Sequence, residues 1–128
     1  MPIEEIASLV DIYFDNMAAM NAKEWLKIFA EDAVIHDPVG DPPRHVHRDS
    51  QQFFKILSNF FQGIELSKDD ILFVKNGAAV KWKMRVVAKN DRDATSEGIS
   101  IFEINDLGKI QKVSSYWDEA AMMTKLKG

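Results

Sequence analysis

The sequence predicts an α+β fold, a curved antiparallel sheet wrapped around N-terminal helices. Three observations carry this expectation. Apolar residues in the first half recur at helical spacing, those in the second half alternate with charged ones, and glycine- and asparagine-containing turns divide the alternating runs. Helices first and a meander afterwards is the order of an α+β layer arrangement.

From Pro2 to Met20 the helical face is Ile3, Ile6, Val10, Tyr13 (or Phe14) and Met17. Pro2, Glu4 and Glu5 suit a helix N-terminus, where an N–H is unpaired anyway and carboxylates meet the positive end of the dipole. A second helix is expected from about Ala22 to Ala30, burying Trp25, Leu26 and Phe29, with Asn21 as its cap. Asp32 would then lie in the turn that follows. Val34 and Ile35 begin a short strand that Pro38 and Gly40 stop. Asp41 to Arg48, with Pro42, Pro43, His45 and His47, reads as a loop. Asp49 or Ser50 would cap a third helix with the stripe Phe53, Phe54, Leu57, Phe60 and Phe61, ending at Gly63.

Ile71 to Val74 reads as a strand, and Asn76-Gly77 is a hairpin signal. Val80, Trp82, Met84 and Val86 then alternate with Lys81, Lys83 and Arg85, the pattern of a half-buried antiparallel strand. A polar turn at Asn90 to Asp93 leads into a strand from Thr95 to Ile104. A second turn, Asn105 to Gly108, leads into Ile110 to Trp117. Glu97 and Glu103 have the sign to face the cations of the neighbouring strand.

At 128 residues the chain is expected to be one domain, 1–128, with room for one sizeable core. Hydrophobic residues make up 46% and charged residues 28%, which argues against disorder. A net charge of -4 disfavours nucleic acid and anionic membranes as partners. The absence of cysteine excludes disulfides, thiolate metal sites and cysteine nucleophiles. The acidic N-terminus lacks the basic and apolar regions expected of a signal peptide, and no apolar run approaches the roughly 18 residues of a span. The expected location is cytoplasmic.

A sheet curled around helices encloses an apolar interior suited to a small molecule. Alternation turns Ser100, Phe102 and Ile104 inward on one strand, and Val113, Ser115 and Trp117 inward on the last; Trp82 and Met84 add apolar bulk. Asp37, at the end of an apolar strand, suits a turn and equally suits a general base at a pocket mouth. Partial desolvation there makes a carboxylate a better base. His45 and His47 fall on one side of an extended segment, but no third ligand stands at firm metal spacing, so no metal is expected. His36 neighbours Asp37 in the strand, points the opposite way and reads as structural.

Three stretches, "YFDNMAAMNAKEWLKIFAEDAVIHDPVG", "HVHRDSQQFFKIL" and "IFEINDLGKIQKVSSYWD", resemble the ketosteroid isomerase branch of the SnoaL-like, nuclear-transport-factor-2-like superfamily. Together they span residues 13 to 118. The resemblance implies a cone-shaped, cystatin-like α+β barrel. It puts Asp37 of "DPVG" at the catalytic base and Tyr13 of "DIYFDN" at the tyrosine that donates to the developing oxyanion. Where those isomerases carry a second donor, a neutral aspartic acid, this chain has Ser100.

The expected activity is that of a steroid delta-isomerase-like enzyme, shifting a double bond in a small apolar carbonyl compound by intramolecular proton transfer. Asp37, Tyr13 and Ser100 would be catalytic, and Trp82, Met84, Phe102, Val113, Ser115 and Trp117 would bind substrate. The carbonyl itself is the electron sink, so no cofactor is required. Alternatives in the same pocket are a non-catalytic binder of a hydrophobic molecule, and cyclase or hydrolase chemistry. The ligand would be steroid-like or smaller. A homodimer is expected through the outer sheet face, at Ile99, Ile101, Ile110 and Tyr116.

Overall fold

The structure, a computed structural model, describes residues 1–127. The chain runs through α1 (Ile3–Ala18), α2 (Ala22–Leu26), β1 (Phe29–His36), β2 (Arg44–His45) and α3 (Val46–Phe60). It continues through β3 (Phe61–Val74), β4 (Gly77–Ala88), β5 (Asp93–Ile104), β6 (Ile110–Trp117) and α4 (Glu119–Lys127). The α+β class and the curved sheet are as the sequence predicts. The barrel does not close: six strands lie in the order β2-β1-β6-β5-β4-β3, with β2 and β3 at the edges. Nor is the sheet wholly antiparallel. β1 runs parallel to β6, because α3 and the whole meander separate the two strands in the chain.

Local chemistry explains the boundaries that differ from the sequence reading. Met20 takes a left-handed φ of 55° after α1, and the Asn21 side chain accepts the Glu24 N–H at 3.2 Å to start α2. That helix stops at Leu26, so Phe29 and Asp32 belong to β1, where Gln111 Nε2 donates to Asp32 Oδ1 at 2.9 Å. Arg44 and His45 are a short strand rather than loop, paired with Ile35 and Val34. α3 starts three residues before Asp49, whose carboxylate reaches back to accept the His45 N–H at 2.9 Å. Gly63 does not end that helix. The chain passes from Phe60 directly into β3, and Gly63 adjoins a register shift within the strand.

The β3–β4 hairpin turns at Lys75 and Asn76, but neither Asn76 nor Gly77 has a positive φ. Gly77 is required for another reason: a Cβ there would collide with the Phe102 carbonyl oxygen on β5. Glu97 pairs with Lys83 as expected, whereas Glu103 lies opposite Gly77 and Lys112. The closest carboxylates are others: Asp69 approaches Lys83 at 3.6 Å, and Arg85 lies 3.3 Å from Asp93 and 3.7 Å from Glu65. These exposed pairs stabilise by about 1 kcal/mol at most.

The core lies between α1 and the concave sheet face. Ile6, Val10, Tyr13 and Phe14 of α1 pack with Ile35, Val80, Phe102 and Val113, beside an aromatic group of Trp25, Phe29 and Phe54. Each such side chain stabilises by about 1.5–3 kcal/mol through area removed from water. Ile110 belongs here and not to the outer face. A register shift between Glu103 and Ile104 pairs it with Ile104 and turns it inward to 0% exposure. A second cluster joins Met122 and Leu126 of α4 to Phe61, Ile64, Val86, Ala88 and Ala94. α4 itself was not foreseen. Asp118 accepts the Ala121 N–H at 2.9 Å at its start, and Met122 and Leu126 lie one turn apart. Among the described residues no helix is long and apolar enough to cross a membrane.

Candidate functional site

The sheet, faces of α1 and α3, and the start of α4 together line a cavity of about 100 Å³. Tyr13, Asp37, Ser100, Trp82, Met84, Ser115 and Trp117 all line it, so seven of the residues singled out in the sequence meet in one place. Phe102 and Val113 do not. They pair across β5 and β6 one row deeper, where the Phe102 ring meets Tyr13 at 5.0 Å and Phe14 at 6.0 Å and closes the core behind them. Arg44 and Glu119 also line the cavity, and neither was anticipated. Arg44 was hidden in a segment read as loop. Its cross-strand partner Ile35 is buried, which turns Arg44 to the same side, and its guanidinium stacks at 4.1 Å on the Phe53 ring. The Asp118-Glu119 capping signal could have announced Glu119.

Asp37 follows the last residue of β1, at the half-buried rim. Trp117 Nε1 donates to Asp37 Oδ1 at 2.6 Å, and the Val39 N–H donates to the Ser115 carbonyl at 2.8 Å, which fastens the turn to β6. The Asp37–Pro38 peptide is cis. Burial pushes the Asp37 carboxyl above its ordinary value; the Trp117 N–H and the Arg44 charge oppose this, and Asp41 adds to it. Glu119 is raised as well, first by burial and then by the charges of Asp37 and Asp41, with Arg44 opposing.

Tyr13 is 3% exposed, with its ring held edge-on between Phe14 and Phe102. Burial and the Asp37 charge drive its phenol far up, against Arg44, so it remains a neutral O–H donor throughout the physiological range. Ser100 and Ser115 are each 2% exposed. Trp82 Nε1 donates to Ser100 Oγ at 2.9 Å, and the two serine oxygens lie 2.7 Å apart. The Trp82 and Trp117 rings meet edge-on at 5.7 Å. Gly98 makes this possible: it pairs with Trp82 on one side and Trp117 on the other. A Cβ on Gly98 would lie 2.6 Å from Trp82 Cζ2 and 2.8 Å from Trp117 Cβ.

The arrangement offers one carboxylate able to take up a proton, O–H donors on the opposing walls, and an apolar volume between them. A wider groove of about 680 Å³ runs between α4 and the sheet, sharing only Leu66, Met84 and no polar group with the cavity. Opposed surface charges line it, including Glu65, Lys83, Arg85, Glu97 and Lys125, and none of the proposed reactive groups reaches it. The smaller cavity is therefore the candidate site. His45 flanks α3 at the surface, His36 pairs with Ser114, and His47 Nε2 lies 3.3 Å from the Phe29 carbonyl. No group of three His, Cys, Asp or Glu among the described residues could hold a metal ion.

A profile of the SnoaL-like domain matches residues 10–113. Among solved structures, an NTF2-like protein of unknown function from Burkholderia pseudomallei K96243 superposes with a TM-score of 0.82 at 18% identity, covering 97% of this chain and 98% of that one. A second NTF2-like protein of unknown function, from Exiguobacterium sp. 255-15, gives 0.74 at 17% identity over 87% and 98%. An LEH-like epoxide hydrolase of M. tuberculosis gives 0.79 at 15% identity over 97% and 90%. At these identities the structures share the fold with this chain.

Proposed function

The chain belongs to the SnoaL-like domain family, and from that premise we propose that it is an isomerase that shifts a double bond in a small apolar carbonyl compound. One observation carries the reading: Asp37, Tyr13 and Ser100 line one apolar cavity, with the carboxylate at its rim. Asp37 removes a proton from the carbon between the carbonyl and a β,γ double bond. The electron pair moves onto the carbonyl oxygen as a dienolate, which the Tyr13 hydroxyl and the serine wall stabilise in a water-poor site. The Asp37 carboxylic acid then returns the same proton to the γ carbon.

The cavity volume narrows the substrate. Pockets for drug-sized ligands run to roughly 300–1,000 Å³, so about 100 Å³ suits a single-ring or short-chain enone better than a steroid. The test is conjugation of cyclohex-3-enone, followed by absorbance, beside a β,γ-unsaturated ketosteroid. Faster turnover of the small ketone by the native protein, lost in Asp37→Asn, supports the reading; no turnover of either sinks it.

A second reading, hydrolysis of a strained ether, has Glu119 behind it. A second carboxylate in the same cavity could protonate a leaving oxygen while Asp37 activates water. The M. tuberculosis neighbour is an LEH-like epoxide hydrolase. Diol formation from cyclohexene oxide, lost in Glu119→Gln, would favour it.

A further inference from the structure

We propose that Trp25 and Ser50 hold one buried water behind Arg44, and that this water fixes the Arg44 guanidinium at the edge of the candidate site. Neither Asp37 as a base nor the isomerase chemistry is needed for it.

Two buried polar atoms carry the inference. Trp25 Nε1 and Ser50 Oγ have no hydrogen-bond partner among the described residues, although the two residues are only 2% and 3% exposed. Polar atoms in a folded interior almost always find a partner in the protein or in ordered water. Both residues line one small cavity of about 10 Å³, between α2, β1, β2 and α3. That is the room one water needs, and two would not fit.

Local structure leaves both atoms without a partner. α3 begins at Val46 and not at Ser50, so the Ser50 hydroxyl lies one turn inside the helix and caps nothing. A serine inside a helix commonly bonds back to the carbonyl four residues earlier. Ser50 makes no such bond to Val46. Trp25 is the buried side chain of the five-residue α2, and its ring meets Phe29 at 4.4 Å and Phe54 at 5.0 Å. Held by these contacts, the indole cannot turn to find another acceptor.

Among the described residues, Arg44 and Phe53 alone line both this cavity and the candidate site. The guanidinium stacks on the Phe53 ring at 4.1 Å, which fixes its plane but satisfies none of its N–H groups. The arginine salt bridges among the described residues belong to Arg48 and Arg85, not to Arg44. An indole and a guanidinium can only donate, so the group between them must accept twice. A water does this and donates in turn to Ser50 Oγ. A small anion would also accept twice, but the Asp49 carboxylate lines the same cavity and repels one. Trp25 and Ser50 are thus positioning residues for Arg44, acting through the water. Arg44 shares the larger cavity with Asp37 and Glu119, so its placement reaches the candidate site directly.

The test uses the full-length protein and the pair Ser50→Thr and Ser50→Val. Threonine and valine have the same shape, and only threonine keeps the hydroxyl. In crystals of the native protein, one density peak is expected within about 3.2 Å of both Trp25 Nε1 and Ser50 Oγ. Ser50→Thr should keep the peak, and Ser50→Val should lose it. Exchange of the Arg44 side-chain N–H protons, followed by nitrogen-15 NMR, should be about fivefold faster in Ser50→Val than in Ser50→Thr. That is the factor carried by one ordinary hydrogen bond. A packing role for Ser50 alone would leave the two variants alike, and equal exchange rates in them overturn the proposal. So does the absence of the peak from the native crystal, an outcome that needs no variant to fold. An anomalous bromide signal in this cavity, after crystals are soaked in bromide, also overturns it by making the site an anion site.

Discussion

Trp117 donates its indole N–H to Asp37 Oδ1 across 2.6 Å, so the last strand of the sheet holds the carboxylate that ends the first. A donor to the charged form lowers a carboxyl pKa and opposes the rise that burial imposes. In Trp117→Phe the ring volume stays and the donor goes. The acid limb of the pH–rate profile for enone conjugation is therefore expected to move to higher pH. Arg44→Met should move it the same way, since Arg44 also holds Asp37 down. An acid limb fixed in both variants would mean that Asp37 does not set it.

Asp37→Asn is expected to separate stability from activity. Burial raises the folded-state pKa above the ordinary 3.8, so above that range the folded chain must hold a carboxylate that the unfolded chain exposes to water. Below about pH 4 both states are largely protonated and the penalty fades. Asparagine carries no charge at any pH and can still accept from Trp117. The variant should melt no lower than the native protein at pH 7, with any advantage closing on acidification, while conjugation disappears. A melt clearly lower at pH 7 would make Asp37 a structural turn residue.

Gly98→Ala is expected to disturb the site from outside it. The added methyl meets Trp82 Cζ2 at 2.6 Å, the Tyr116 carbonyl at 2.7 Å and Trp117 Cβ at 2.8 Å, the last two on the backbone or bonded directly to it and unable to swing away. Overpacking of this kind costs about 1–3 kcal/mol. Thermal melts read the loss, and a changed indole fluorescence would show that the Trp82–Trp117 contact moved with it.

The sequence showed the class of fold and most of the pocket wall, because both depend on period. Trp82, Met84, Ser100, Ser115 and Trp117 face inward by simple alternation, and the structure keeps them there. Ile110 broke the pattern, since a register shift between Glu103 and Ile104 cannot be seen in one strand alone. Phe102 and Val113 alternate correctly but lie too deep: alternation gives the face and not the depth along the cone. Arg44 and Glu119 depend on a two-residue strand and a terminal helix, short elements whose patterns span too few residues to read. The Trp117–Asp37 bond joins residues eighty positions apart, and no local signal contains it.

On the convex sheet face, fewer apolar side chains stand exposed than the expectation of a dimer there assumed. Ile99, 45% exposed, pairs in register with Tyr116, 55% exposed, and half-buried Ile101 lies one pleat along; Ile110 is no longer part of it. Ile99→Lys/Tyr116→Lys places like charges opposite each other on that face. Light scattering at tens of micromolar is expected to give a dimer mass for the native chain and a monomer for the variant. A monomer mass for the native chain would count against the interface.

Ser100→Asp tests how far the serine limits the proposed isomerase chemistry. A carboxylic acid at this position donates to an enolate only while it keeps its proton. Burial at 2% exposure favours the neutral acid, but the Trp82 N–H and the Ser115 hydroxyl both lie where they would stabilise the carboxylate. A carboxylate here would also face a developing negative charge across the cavity. Trp82→Phe removes one of the two donors, so the new acid stays neutral more readily in that background. The gain in conjugation rate from Ser100→Asp is therefore expected to be larger with Trp82→Phe than without it, reaching at most on the order of 10²-fold. A double-mutant cycle on the rates measures the difference. Equal gains in both backgrounds would show that Trp82 has no hold on the charge at this position; a larger gain with the indole intact would reverse the argument.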